Sequence, residues 1–77
     1  MKVVVEISKI LLAVRPGLAE RAELDLPEGS TVADALAAAG LAQGLWGIVL
    51  VGDRVTNVSA KLAPGDKVTA LPPVSGG

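Results

Sequence analysis

The sequence predicts an α+β domain over residues 1–71, one main helix on a mixed four- to five-stranded sheet, with a flexible tail over 72–77. Three observations predict it. Two stretches near the N-terminus alternate apolar and polar residues with period two, as strands with one covered face do. One stretch has helical spacing behind a helix-start signal. Strand-like segments then follow, so a lone helix serves a whole sheet, and laying it across one face is the economical packing.

Val3, Val5 and Ile7 alternate with Lys2, Val4, Glu6 and Ser8, which gives the first strand. Ile10 to Val14 is apolar throughout, and both a second piece of strand and a helical turn fit it. Arg15-Pro16-Gly17 breaks that run as a turn. Ala22, Leu24 and Leu26 alternate with Arg21, Glu23 and Asp25, giving a second strand expected to pair with the first as an antiparallel hairpin. Pro27-Glu28-Gly29 ends it. Thr31 and Asp34 fit the [ST]-x-x-[DE] capping box, in which the hydroxyl accepts from an early helix amide and the carboxylate reaches back. Val32, Ala35, Leu36 and Ala39 recur at helical spacing, and Gly40 suits the C-terminal cap.

Ile48 to Val51 is continuously apolar and predicts a buried central strand. Gly52-Asp53 is a turn, and Arg54-Val55 begins a short return strand. The segment from Val58 to Leu62 fits no single element. Ala63-Pro64-Gly65-Asp66 is a strong turn signal. In the last strand, Val68 and Ala70 point one way while Lys67, Thr69 and Leu71 point the other. Pro72-Pro73 stops further pairing, because neither residue has an amide proton to donate.

Composition narrows the function. A chain of 77 residues is one domain, and at this size only about 60% of the unfolded surface is buried. One core fits; a deep catalytic cleft beside it does not. Apolar residues make up 51%, with Trp46 the lone aromatic, so the core is aliphatic. Net charge is −1 and the cations form no run, so nucleic-acid binding is not expected. Without cysteine or histidine, the chain lacks thiol chemistry, the commonest general base and the commonest metal ligands. No metal site is expected, and no spacing of the acidic residues suggests one. Glu6, Lys9 and Arg15-Pro16 spoil a signal-peptide pattern, and no apolar run approaches the ~18–20 residues that span a bilayer. A cytoplasmic location away from membranes is the expectation, which makes the glycosylation pattern Asn57-Val58-Ser59 a chance match.

The chemistry concentrates in Leu71-Pro72-Pro73-Val74-Ser75-Gly76-Gly77. The prolines stiffen the exit from the last strand toward extended conformations. The glycines carry no side chain to obstruct a narrow channel. Six residues from Pro72 onward reach up to ~20 Å at about 3.3–3.6 Å each, enough to place the Gly77 carboxylate deep inside another protein.

With its element order and its Pro-Pro-Val-Ser-Gly-Gly ending, the sequence resembles the ubiquitin-like β-grasp sulfur carriers. Within them it is most similar to the small subunit of molybdopterin synthase, a relative of the thiamine-pathway carrier. Leu26 to Val32 and Leu62 to Val68 also fit that family. The resemblance implies a non-catalytic carrier that binds no cofactor itself. An ATP-dependent activating enzyme adenylates Gly77, and a sulfur donor such as a cysteine desulfurase or rhodanese leaves a thiocarboxylate there. The tail then enters a large molybdopterin synthase subunit. Gly77 is the carrier, Gly76 its slim neighbour, and Pro72, Pro73, Val74 and Ser75 are the threaded segment.

The alternatives are a carrier for thiamine thiazole synthesis, a protein modifier joined to lysines through Gly77, and a plain interaction module. Leu71 fits ordinary apolar surface and a partner-binding patch equally. Trp46 reads as a lid over one end of the core. Gly40, Gly44 and Gly47 match no phosphate loop, and Ser30 is expected to supplement the helix cap.

Overall fold

The two period-two segments become β1 (Lys2–Ile7) and β2 (Arg21–Asp25) in the computed structural model, which describes residues 1–14, 17–41 and 46–72. They pair antiparallel, with Val3 opposite Leu24 and Val5 opposite Ala22. The open question at Ile10 to Val14 resolves to a short helix, α1 (Lys9–Val14). Its cause is Ser8, whose Oγ accepts from the Ile10 amide at 3.2 Å while its carbonyl accepts from Leu12 at 3.0 Å. That is N-cap geometry. Of the turn expected after it, Arg15 and Pro16 lie outside the described residues.

Helix α2 (Val32–Ala38) starts at Thr31 with the full capping box: the Asp34 amide donates to Thr31 Oγ1, and the Thr31 amide donates to Asp34 Oδ2. Its C-terminus closes as a Schellman motif. The Leu41 amide reaches the Leu36 carbonyl at 2.9 Å and the Gly40 amide reaches Ala37 at 3.1 Å, with Gly40 at φ 87°. Ser30 does not supplement the cap. Its hydroxyl donates 2.7 Å to the Pro27 carbonyl and locks the preceding turn.

The remaining strands are β3 (Ile48–Val51), β4 (Arg54–Thr56) and β5 (Lys67–Leu71), and the sheet order is β2-β1-β5-β3-β4. β5 runs parallel to β1 and antiparallel to β3. Residues 57–63, unassigned from sequence, take their shape from α2. The carbonyls of Ala60 and Val58 accept from the Val32 and Ala33 amides at 2.9 and 3.0 Å, satisfying donors that a helix N-terminus leaves without partners. Leu62 then enters the core as its amide bonds the Ser30 carbonyl at 2.8 Å. At Ala63–Asp66, Pro64 followed by Gly65 at φ 86° makes a type II turn, closed by Asp66 N–H to Ala63 O at 3.1 Å.

The core lies between α2 and one sheet face: Val3, Val5, Ile7, Val49, Val68 and Ala70 from the strands, with Leu11, Val32, Ala35, Leu36, Leu41 and Leu62. Each such Val or Leu contributes about 1.5–3 kcal/mol of burial. The ion pairs from Glu6 to Arg21 (3.6 Å) and Lys67 (3.8 Å) are solvent-exposed and minor beside that. Trp46 is half-buried against the core, as a lid would be. One expectation fails: β3 is not a buried central strand. β5 occupies the middle, and in β3 only Val49 is fully buried. A single helical layer covers a single face, so the alternate residues Ile48 and Leu50 point away from it.

Leu36, 1% exposed, loses its contacts on truncation, so Leu36→Ala is expected to cost about 2–5 kcal/mol in urea unfolding. At Gly40, a Cβ at positive φ would also lie 3.3 Å from Leu18 Cδ2. Gly40→Ala is therefore expected to cost about 1–2 kcal/mol in the same measurement, and an unchanged midpoint would contradict the Schellman cap.

Candidate functional site

The face of the sheet opposite α2 divides in two. Across β2, β1 and the start of β5 it carries Arg21, Glu23, Asp25, Lys2, Glu6 and Lys67, with Lys2 opposite Asp25, Glu6 opposite Arg21, and Val4 between Glu23 and Lys67. Toward β3 and β4 the same face is apolar. Ile48 stands opposite Leu71, and Leu50 lies between Thr69 on one side and Val55 on the other. Directly opposed residues on one face sit ~4.5–5.5 Å apart at Cβ, so these side chains form a contiguous corner. Ile48, Leu50 and Leu71 are half-buried, and Val55 is 73% exposed.

This corner adjoins the end of β5. There the backbone is held from both sides: the Ser8 amide donates to the Ala70 carbonyl at 3.1 Å, and the Gly47 amide donates to the Leu71 carbonyl at 2.9 Å. Pro72 follows, half-buried and without a donor to continue either ladder. Since β1 and β5 are parallel, α1 begins at this same end. It brings Ile10, 66% exposed, to the end of the domain where β5 finishes. The exit of the chain from the sheet is thus a fixed point beside apolar surface.

Of the site residues expected from sequence, Leu71 and Pro72 are placed here together. Pro73, Val74, Ser75, Gly76 and Gly77 lie outside the described residues. Leu71 points to the open face, as alternation predicts, and belongs to an apolar cluster there. Sequence reasoning missed its companions Ile48 and Leu50 because a continuous apolar run was taken as buried on both faces. The signal was available: one helix covers one face, so every second residue of that run faces outward.

Among the described residues, no group of three or more His, Cys, Asp or Glu side chains is placed to hold a metal ion. Among them, too, no helix is long and apolar enough to cross a membrane.

Residues 11–77 match the ThiS family model. No curated protein sequence matches significantly. Among solved structures, the chain is similar to SAMP1 of Haloferax volcanii, at 22% identity and a TM-score of 0.71 over 100% of both chains. A second structure of that protein, small archaeal modifier protein 1, aligns at 21% identity and TM-score 0.73, covering 95% of this chain and 98% of the other. A Pyrococcus furiosus protein described as molybdopterin converting factor, subunit 1, aligns at 22% and 0.71, covering 96% and 99%. At these identities the structures establish the ubiquitin-like β-grasp fold, and the matched family establishes kinship: the chain belongs to the ThiS family of ubiquitin-like sulfur carriers.

Proposed function

We propose that this chain carries sulfur on the Gly77 carboxylate for molybdopterin synthesis, as a non-catalytic subunit served by partner enzymes. The observation that carries it is the anchored end of β5, where Ala70 and Leu71 are pinned and an apolar corner flanks the departure of Pro72. A partner that docks on Ile48, Leu50 and Leu71 receives the tail at a defined position and direction. From Val68 to Gly77 no side chain is charged, so of that segment only the Gly77 carboxylate enters a narrow channel as an ion, the costliest group to bury.

The chemistry follows from the carboxylate. It is a poor acceptor until one oxygen becomes a leaving group, so the activating enzyme transfers adenylate from ATP to Gly77 and releases pyrophosphate. A persulfide on the donor protein then displaces AMP to give an acyl disulfide, and a second thiol cleaves its S–S bond, leaving the thiocarboxylate on Gly77 and a disulfide on the donor side. In the large synthase subunit the sulfur passes to the pterin precursor. Gly76 leaves both partners room to close around the terminus. ATP belongs to the activating enzyme, and the chain's own residues supply docking, direction and reach.

The Pro-Pro-Val-Ser-Gly-Gly ending and the likeness to the Pyrococcus protein favour the molybdopterin route over the thiamine route. The equal likeness to the small archaeal modifier protein supports a second reading, in which the activated Gly77 is joined to lysines of other proteins.

Incubation with an activating enzyme, ATP and a sulfur source is expected to replace one oxygen of the chain by sulfur, read by intact mass and localised to Gly77 by fragmentation. Isopeptide adducts on other proteins would instead identify the modifier, and no change in mass would sink both. Leu71→Glu and Ile48→Glu are expected to slow this loading by roughly tenfold or more, the effect of about 1.4 kcal/mol lost in docking. Their urea midpoints should stay close to the parent, because both side chains face solvent.

A further inference from the structure

Beyond the apolar corner, the outer side of β4 carries a second surface. Gly52 at φ 61° and Asp53 at negative φ form a two-residue turn with glycine in its first central position, a type II′ hairpin that closes on the Val51–Arg54 pair. In such a hairpin the closing pair exchanges both backbone bonds and the next pair exchanges none. The N–H and C=O of Val55 therefore point away from β3. β4 is the last strand of the sheet, so among the described residues they point to a free edge. An edge of this kind is a template for another strand.

Side chains decide which strand fits. On the α2 side of the edge, a shallow cleft of about 360 Å³ is lined by Arg54, Lys61, Thr56, Ala60, Val51 and Val55. Among the described residues, neither Arg54 nor Lys61 pairs with a carboxylate, whereas Arg21 and Lys67 share Glu6. On the open side, Val55 is 73% exposed and continues the apolar row begun by Leu50. A second copy of β4 paired through Val55 would bring its own Arg54 and Lys61 to the same edge and no described carboxylate to meet them, which disfavours self-pairing.

We propose that the β4 edge binds an extended acidic segment of a partner protein by strand addition. Its carboxylates, on alternate residues, meet Arg54 and Lys61 on the helix side. Its intervening apolar residues lie over Val55 on the open side. Val55 supplies the backbone donor and acceptor that fix the register. Strand addition at β4 uses no residue of the tail and would serve a carrier or a modifier alike.

The test uses the full chain and a capped peptide of alternating valine and glutamate, followed by amide chemical shifts and hydrogen exchange. Binding is expected to shift Arg54, Val55 and Lys61 first and to protect the Val55 amide. It should weaken as salt rises beyond ~0.15 M, where the Debye length is about 8 Å. Arg54→Glu with Lys61→Glu is expected to raise Kd roughly tenfold or more. A peptide N-methylated at its central residues keeps its charges but loses its donors, and it should not bind. Shifts centred away from β4, unchanged binding by the double variant, or equal binding of the N-methylated peptide would each overturn strand addition.

Discussion

Among the described residues, two short helices, α1 and α2, have a whole sheet face to cover and none remains for the other, and the rest of the molecule is arranged around that shortage of cover. The strand residues on the helix side are sealed and aliphatic: Val3, Val5, Val49, Val68 and Ala70. Their neighbours in sequence face water by necessity, since period two gives each strand two faces. What those outward residues are is therefore a free choice. Over β1 and β2 the choice is charge, with Glu6 between Arg21 and Lys67. Over β3 and the end of β5 it is Ile48, Leu50 and Leu71, at a cost in exposed apolar area that folding does not require. Scattered apolar surface is ordinary, but a cluster abutting the point where the chain leaves the sheet is the kind of patch that marks a contact site.

The middle position of β5 has a related consequence. A strand at the sheet edge would release its C-terminus with one side already loose. β5 instead has β1 on one flank and β3 on the other, and Ser8 and Gly47 bond its last carbonyls from both. The ladder thus holds through Leu71, and Pro72 has no amide proton to continue it. A partner meeting this end encounters a fixed origin for the tail.

Much of this was legible in the sequence, and the failures have physical causes. The capping box at Thr31 and Asp34, the hairpin of β1 with β2, and the turn at Pro64-Gly65 depend on local chemistry, and local chemistry is written in the sequence. Residues 57–63 could not be read because their shape answers to the α2 N-terminus, a partner distant in sequence. Ser30 was misassigned for a similar reason: Pro27 offers its hydroxyl a nearer acceptor than the helix. The run Ile48–Val51 misled because apolarity alone does not report which face is covered. At the site, Leu71 and the prolines stood out from sequence, while their partners on β3 needed the register of β5 against β3.

The absence of His and Cys takes on meaning beside this architecture. A fold this small has placed its polar groups in caps, turns and surface pairs, and no described carboxylate is held in a buried cluster. Under the proposed carrier function that is a sound division of labour. Activation of a carboxylate needs bound ATP, aligned phosphates and excluded water, which demand a larger protein with a closed site. A carrier serving two such sites in turn must fit both, so a reactive side chain near its terminus would be a hazard in each. An inert aliphatic body, a pinned strand end and ten uncharged final residues meet those demands together. The β4 edge lies one strand beyond β3 from that exit, with its Val55 on the far side of the apolar corner.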